Sequence, residues 1–151
     1  EQGRMAEPKA IVFPTDFSEL SLSALPLAKR MAAAMDAQLH CVYTVEEPHI
    51  YATLDMGPVP IPTAEELSTS AEARLQQFAS DNLQGAAHRP VTKVLVGRPS
   101  EEIVRYASDV DAEMIVMTTH GYAGVKHVVL GSTTEAVLRH ATCPVLSVRA
   151  S

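Results

Sequence analysis

Five short apolar runs, each followed or preceded by a helix-like segment, constrain this chain more than any other feature. The runs are Lys9-Ala-Ile-Val-Phe13, Gln38 to Val45, Pro90 to Val96, Met114-Ile-Val-Met117 and Cys143 to Val148. Each is brief and rich in β-branched or apolar residues, as buried strands are. Between them, Ser18 to Met35 carries Leu20, Leu22, Leu25, Leu27, Ala28 and Met31 near a helical period, with Pro26 expected to bend the helix. Asp16 with Glu19, or Ser18 with Ser21, is placed to cap it. Thr63-Ala-Glu-Glu66 is a capping box for a helix reaching about Leu83, with Leu67, Ala71, Leu75 and Phe78 on one face and Gly85 after its end. Glu101 to Ser108, with Ile103, Val104 and Ala107 on one stripe, and Glu135 to His140, with Val137 and Leu138 inward, complete the helices. Regular alternation of this kind predicts a parallel sheet covered by helices on both faces.

The loop between the fourth strand and the last helix is the chemically distinctive stretch. Thr118-Thr-His-Gly-Tyr-Ala-Gly-Val-Lys-His-Val-Val-Leu-Gly-Ser-Thr133 holds Gly121, Gly124 and Gly131. Ser132 and Glu135 have capping-box spacing, so Ser132 is the expected N-cap. Glycines let the backbone approach a ligand closely, and a helix start offers unpaired N–H groups and a positive dipole end. That pairing suits a phosphate. The spacing is neither a Walker A loop nor a Gly-x-Gly-x-x-Gly fingerprint. Val125, Val128 and Val129 have the spacing of one helical turn inside the loop. In open parallel sheets ligands sit beyond the carboxyl ends of strands where strand order reverses, so Pro14-Thr15-Asp16 and Thr118 to Gly121 form one crevice if their strands are neighbours.

Composition narrows the classes of function. A chain of 151 residues is one domain, able to bury about two-thirds of its unfolded surface. The net charge of −6 argues against a nucleic-acid partner. No apolar run reaches membrane-spanning length. Cys41 and Cys143 form no metal or redox motif, and a reduced cytoplasmic protein is the simplest reading. His40, His49, His88 and His140 form no metal-like constellation, and neither a Ser-His-Asp nor a Cys-His arrangement emerges, so no catalytic residue is assigned. Residues ahead of Met5 read as tag-derived, residues 1–8 as a disordered lead, and 9–150 as the domain. Glu46 to Pro62, with Pro48, Pro58, Pro60 and Pro62 among apolar residues, reads as a packed loop on the domain or a partner subunit, or equally as a mobile surface excursion.

Taken together, Val12-Phe-Pro-Thr-Asp-Phe-Ser18, Leu39-His40, Gly97-Arg98-Pro99, Thr119-His-Gly121 through Gly131-Ser132, and His140 to Arg149 resemble the universal stress protein family over Lys9 to Arg149. The resemblance implies a single-domain open five-stranded parallel sheet of order 3-2-1-4-5 with helices on both faces, the Rossmann-like adenine nucleotide alpha hydrolase type. It also implies homodimers, often paired through the last strand. ATP-binding members carry Gly-x2-Gly-x9-Gly-Ser/Thr across the fourth-strand loop. In this chain the second and third glycines fall on Gly121 and Gly131, while Thr118 stands at the first. Asp16, flanked by Pro14 and Thr15, matches the acidic residue that meets the ribose or the base side. Cys41 falls near the position that packs on adenine, and Ser132 and Thr133 match phosphate-side positions. Met117, His120 and Gly124 complete the implied site.

Read locally, Asp16 is equally a helix cap, Cys41 a small buried side chain, His120 a loop hydrogen-bonder, and Lys126 with His127 a solvated turn. The expectation is an adenine-nucleotide-responsive regulatory module in stress response. It would take ATP or AMP, with Mg²⁺ offsetting phosphate repulsion, on N–H groups of Gly121, Gly131, Ser132 and Thr133. Alternatives are a dimeric interaction protein of the same fold that binds no nucleotide, working through regulatory protein partners, and a slow ATPase.

Overall fold

A computed structural model describes residues 7–46, 62–119 and 130–149. The elements run β1 (Ala10–Pro14), α1 (Glu19–Leu22), α2 (Leu25–Ala34), β2 (Gln38–Val45), α3 (Ala64–Asn82), β3 (Val91–Val96), α4 (Pro99–Asp109), β4 (Met114–Thr118), α5 (Ser132–His140) and β5 (Val145–Val148). All strands pair in parallel in the order β3-β2-β1-β4-β5. The expected sheet is therefore the observed one. The Pro-rich stretch over 47–61 and the turn expected at 125–129 lie outside the described residues.

Strand periodicity sorts the core into two layers. Side chains alternate across a sheet, so Ile11, Phe13, Leu39, Cys41 and Val116 face one way, onto Ala28, Leu75 and Phe78 of α2 and α3. Val12, Val42, Ile115 and Met117 face the other, onto Ile103, Ala107 and Val137 of α4 and α5. Ile11, Phe13, Leu75 and Ile115 are fully buried, each worth roughly 1.5–3 kcal/mol relative to exposure. Leu138, expected inward, is 41% exposed. It follows Val137 by one residue, about 100° around the helix, which carries it off the buried stripe.

One expected helix is split in two. Pro26 does not bend a single long helix: α1 stops at Leu22, and Pro26 sits in the first turn of α2. There its missing N–H has no intrahelical partner to lose. Of the two caps open for α1, Ser18 is the one used, its Oγ accepting from the Ser21 amide at 3.1 Å. Thr63 and Glu66 form the expected capping box of α3. After α2 and α4, Asp36 and Asp111 take left-handed conformations, φ 51° in both. The amides of Ala37 and Ala112 then reach back to the carbonyls of Ala32 and Ala107 at 2.8 Å, as in a Schellman ending. These tight endings turn the chain directly into β2 and β4.

One half-buried polar contact ties β2 to α4: His40 Nδ1 lies 2.7 Å from the Tyr106 hydroxyl. Desolvation by burial lowers the His40 pKa from its usual 6.5. The unfolded chain therefore binds the proton more readily than the native one. Stability is fully present above pH 6.5 and is lost as pH falls through the lowered native value. Between about pH 7 and pH 5 the wild type should lose more stability, by urea midpoint, than His40→Gln. Parallel pH dependences would dismiss this role for His40.

Candidate functional site

The chain reverses its winding between β1 and β4, which are neighbours through Ile11↔Met114 and Val12↔Ile115. A cavity of about 170 Å³ opens beyond their carboxyl ends. Pro14, Thr15 and Asp16 enter it from β1 and its loop, Met117 and Thr118 from β4, and Gly131, Ser132 and Thr133 from the start of α5. These are eight of the residues singled out in the sequence. His120, Gly121 and Gly124 lie outside the described residues, as do Lys126 and His127.

Cys41 departs from expectation. It is absent from the cavity lining, and its side chain is fully buried in the layer formed with α2 and α3. Its strand neighbours Val42, Tyr43 and Thr44 line the crevice instead. Burial pushes the Cys41 thiol up to about 12, as for an inert core thiol. Pro99, Ile103 and Thr134 complete the wall. Ile103 and Thr134 carry no local sequence signal for a site. Ile103 belongs to an ordinary amphipathic stripe, and the part played by Thr134 depends on a contact sixteen residues back.

That contact organises the α5 side of the cavity. Thr134 is buried, and its Oγ1 donates to the Thr118 carbonyl at 2.8 Å. The Gly131 amide donates to the Thr119 carbonyl, also at 2.8 Å. The first turn of α5 is thus pinned to the end of β4 by two hydrogen bonds. Thr134→Val keeps the shape and removes the hydroxyl. It should cost about 1–2 kcal/mol in urea unfolding, and an unchanged midpoint would show that the pin carries no load.

The helix start also corrects two expectations. Gly131, not Ser132, is the N-cap, and no side chain caps α5. Glu135, the expected capping-box partner, instead receives Arg139 at 2.8 Å. The first backbone bond closing the helix runs from the Glu135 amide to the Gly131 carbonyl, so the helix itself provides no acceptor for the amides of Ser132 and Thr133. Gly131 lends the cavity its small size but not its amide, which is committed to Thr119. The helix start therefore presents the Ser132 and Thr133 amides, with the positive dipole end behind them.

Opposite lies the Asp16 loop. Asp16 Oδ1 accepts from the Ser18 amide at 2.9 Å, an Asx turn ahead of the helix, so Asp16 is not the helix cap of the local reading; Ser18 is. Oδ2 is buried and has no hydrogen-bond partner among the described residues. A buried acceptor without a donor is costly to the protein alone.

A parallel sheet with a strand-order reversal places an uncapped helix start and the Asp16 loop around one crevice, which defines an open α/β domain with its cavity at the switch point. Comparison with known proteins agrees. The model of the universal stress protein family matches residues 8–149. Universal stress protein MJ0531 of Methanocaldococcus jannaschii is 34% identical over 148 residues, covering 93% of this chain and 82% of that protein. The solved structure of MJ0577, from the same organism, superposes with a TM-score of 0.76 at 28% identity, covering 95% of this chain and 96% of that one. A universal stress protein solved in complex with cAMP shares the fold, with a TM-score of 0.68 at 24% identity over 97% of this chain and all of that one. The chain belongs to the universal stress protein family.

Proposed function

We propose that this protein is an adenine-nucleotide-binding regulatory module acting in stress response, with AMP or ATP lying across the carboxyl ends of β1 and β4. The single observation that carries this reading is the uncapped start of α5 lining the same crevice as Asp16, whose Oδ2 has no partner among the described residues. The phosphates would take the Ser132 and Thr133 amides, and the Ser132 and Thr133 hydroxyls lie in the same turn. Asp16 Oδ2 would accept from a ribose hydroxyl or from the base. Val42 and Ile103 give the base an apolar wall. That a protein of this fold was solved with cAMP is in keeping with this reading, but the case for this chain rests on its own crevice.

Among the described residues no group of three or more His, Cys, Asp or Glu is placed to hold a metal. Mg²⁺ would therefore arrive on the triphosphate and offset the net charge of −6, rather than sit in a cage of carboxylates. β5 stands at the sheet edge, paired among the described residues with β4 alone. We assign it to homodimer formation by strand pairing.

Isothermal titration of purified protein with AMP and with ATP tests the reading. Saturable binding in the micromolar range, roughly −8 kcal/mol, is expected. No heat with either nucleotide would refute it. Thr118, where the ATP-binding motif has glycine, favours a second reading: an interaction module of the same fold that takes no nucleotide. In that case the native mass spectrum shows bare protein and thermal shifts with nucleotide stay flat.

A further inference from the structure

We propose that Phe17 is a positioning residue for Asp16, holding the carboxylate at the crevice by a strained backbone and an aromatic clasp. This rests on the nucleotide reading above. Phe17 has φ 65°, in the left-handed region, where a bulky side chain is a rare outlier. Such a conformation persists only where the surroundings over-determine it, and it concentrates at functional sites.

Two sets of contacts do so. The first is a chain of hydroxyls. The Phe17 amide donates to Thr15 Oγ1 at 2.9 Å. Thr15 Oγ1 lies 3.0 Å from Ser21 Oγ, and Ser21 Oγ donates its one hydrogen to the Ser18 carbonyl at 2.9 Å. Thr15 must then donate to Ser21, which leaves its lone pair for the Phe17 amide. Every donor in the chain has one direction, and the turn has one shape. The second is the ring. Phe17 packs on Tyr43 with centroids 4.9 Å apart and on Phe78 at 6.2 Å, and Arg74 Cζ sits 4.2 Å over its face. Phe78 and Arg74 come from α3, in the layer opposite α4 and α5, while Tyr43 lines the crevice itself.

The turn these contacts enforce begins one residue after Asp16. It brings the Ser18 amide back onto Asp16 Oδ1 and leaves Oδ2 buried, without a partner among the described residues. Helix capping alone is served by Ser18 and does not call for a strained phenylalanine. Delivery of a carboxylate to a fixed point does.

The test measures AMP affinity of wild type, Phe17→Ala and Phe17→Tyr well below their unfolding midpoints, each also in an Asp16→Asn background. Phe17→Ala should bind about tenfold more weakly, the scale of coupling between contacting residues. Phe17→Tyr, which keeps the ring, should restore affinity. In the Asp16→Asn background Phe17→Ala should change nothing further. Equal binding by wild type and Phe17→Ala overturns the inference, as does an equal loss in the Asp16→Asn background. Should wild type bind no AMP, the nucleotide reading fails. Hydrogen exchange of the Ser18 amide then decides the role of Phe17: faster in Phe17→Ala and restored in Phe17→Tyr supports it, and unchanged exchange overturns it.

Discussion

Gly131→Val is expected to weaken AMP and ATP binding by about a hundredfold or more, about 2.8 kcal/mol, in a protein that stays folded. Gly131 has φ −59° and ψ 148°, extended backbone that any residue adopts, so its small size is not explained by conformation. It lines the cavity immediately before the two amides that α5 leaves without an intrahelical acceptor. A β-branched side chain there adds three carbons where the phosphates must approach. Valine is also a poorer N-cap than glycine, which costs the helix about 1 kcal/mol or less and does not threaten the sheet. Calorimetry with far-UV circular dichroism separates the two effects. Wild-type affinity in a folded Gly131→Val protein would move the phosphates away from this helix start.

The second large effect separates binding from stability. Asp16→Asn should lower AMP affinity tenfold or more, about 1.4 kcal/mol, without lowering the urea midpoint. The reason is the division of labour between its oxygens. Oδ1 takes the Ser18 amide, and the asparagine carbonyl can take over that bond. Oδ2 is buried with no hydrogen-bond partner among the described residues, so in the proposed complex its gain comes from a ligand donor rather than from the fold. A residue kept for stability shows the opposite pattern, with a fallen midpoint and unchanged affinity. That pattern in Asp16→Asn would reduce Asp16 to a structural residue of the turn before α1.

How far the sequence discloses such a site depends on the range of the physics involved. Strand runs and the capping box at Thr63 are local signals, and the structure bears them out because each rests on a few neighbouring residues. The adjacency of β1 and β4 is not local. It follows from the family resemblance, and nothing in the runs themselves requires it. Ser132 and Glu135 have capping-box spacing yet do not form one, because Arg139 competes for Glu135 and Thr134 is drawn back to Thr118. Tertiary contacts fix the register of that first turn. The phase of β2 was likewise hidden. Period-two alternation says that Cys41 and Val42 face opposite layers, but not which layer holds the crevice. Pro26 shows the same limit: its effect depends on whether a helix begins beside it or runs through it. The left-handed Phe17 carries no sequence mark, since its cost is met by Tyr43, Phe78 and Arg74 from two distant elements. Local rules fail most at the crevice, as expected where a chain serves a ligand as well as its own fold.

Amide chemical shifts of nitrogen-labelled protein, followed as AMP is added, put the question most directly. Saturable shifts at Ser132 and Thr133, with Phe17 and Ser18 moving on the same isotherm, are expected of an anion held at the start of α5 while its sugar or base engages Asp16. Shifts confined to other surfaces, or none at millimolar AMP, would contradict it.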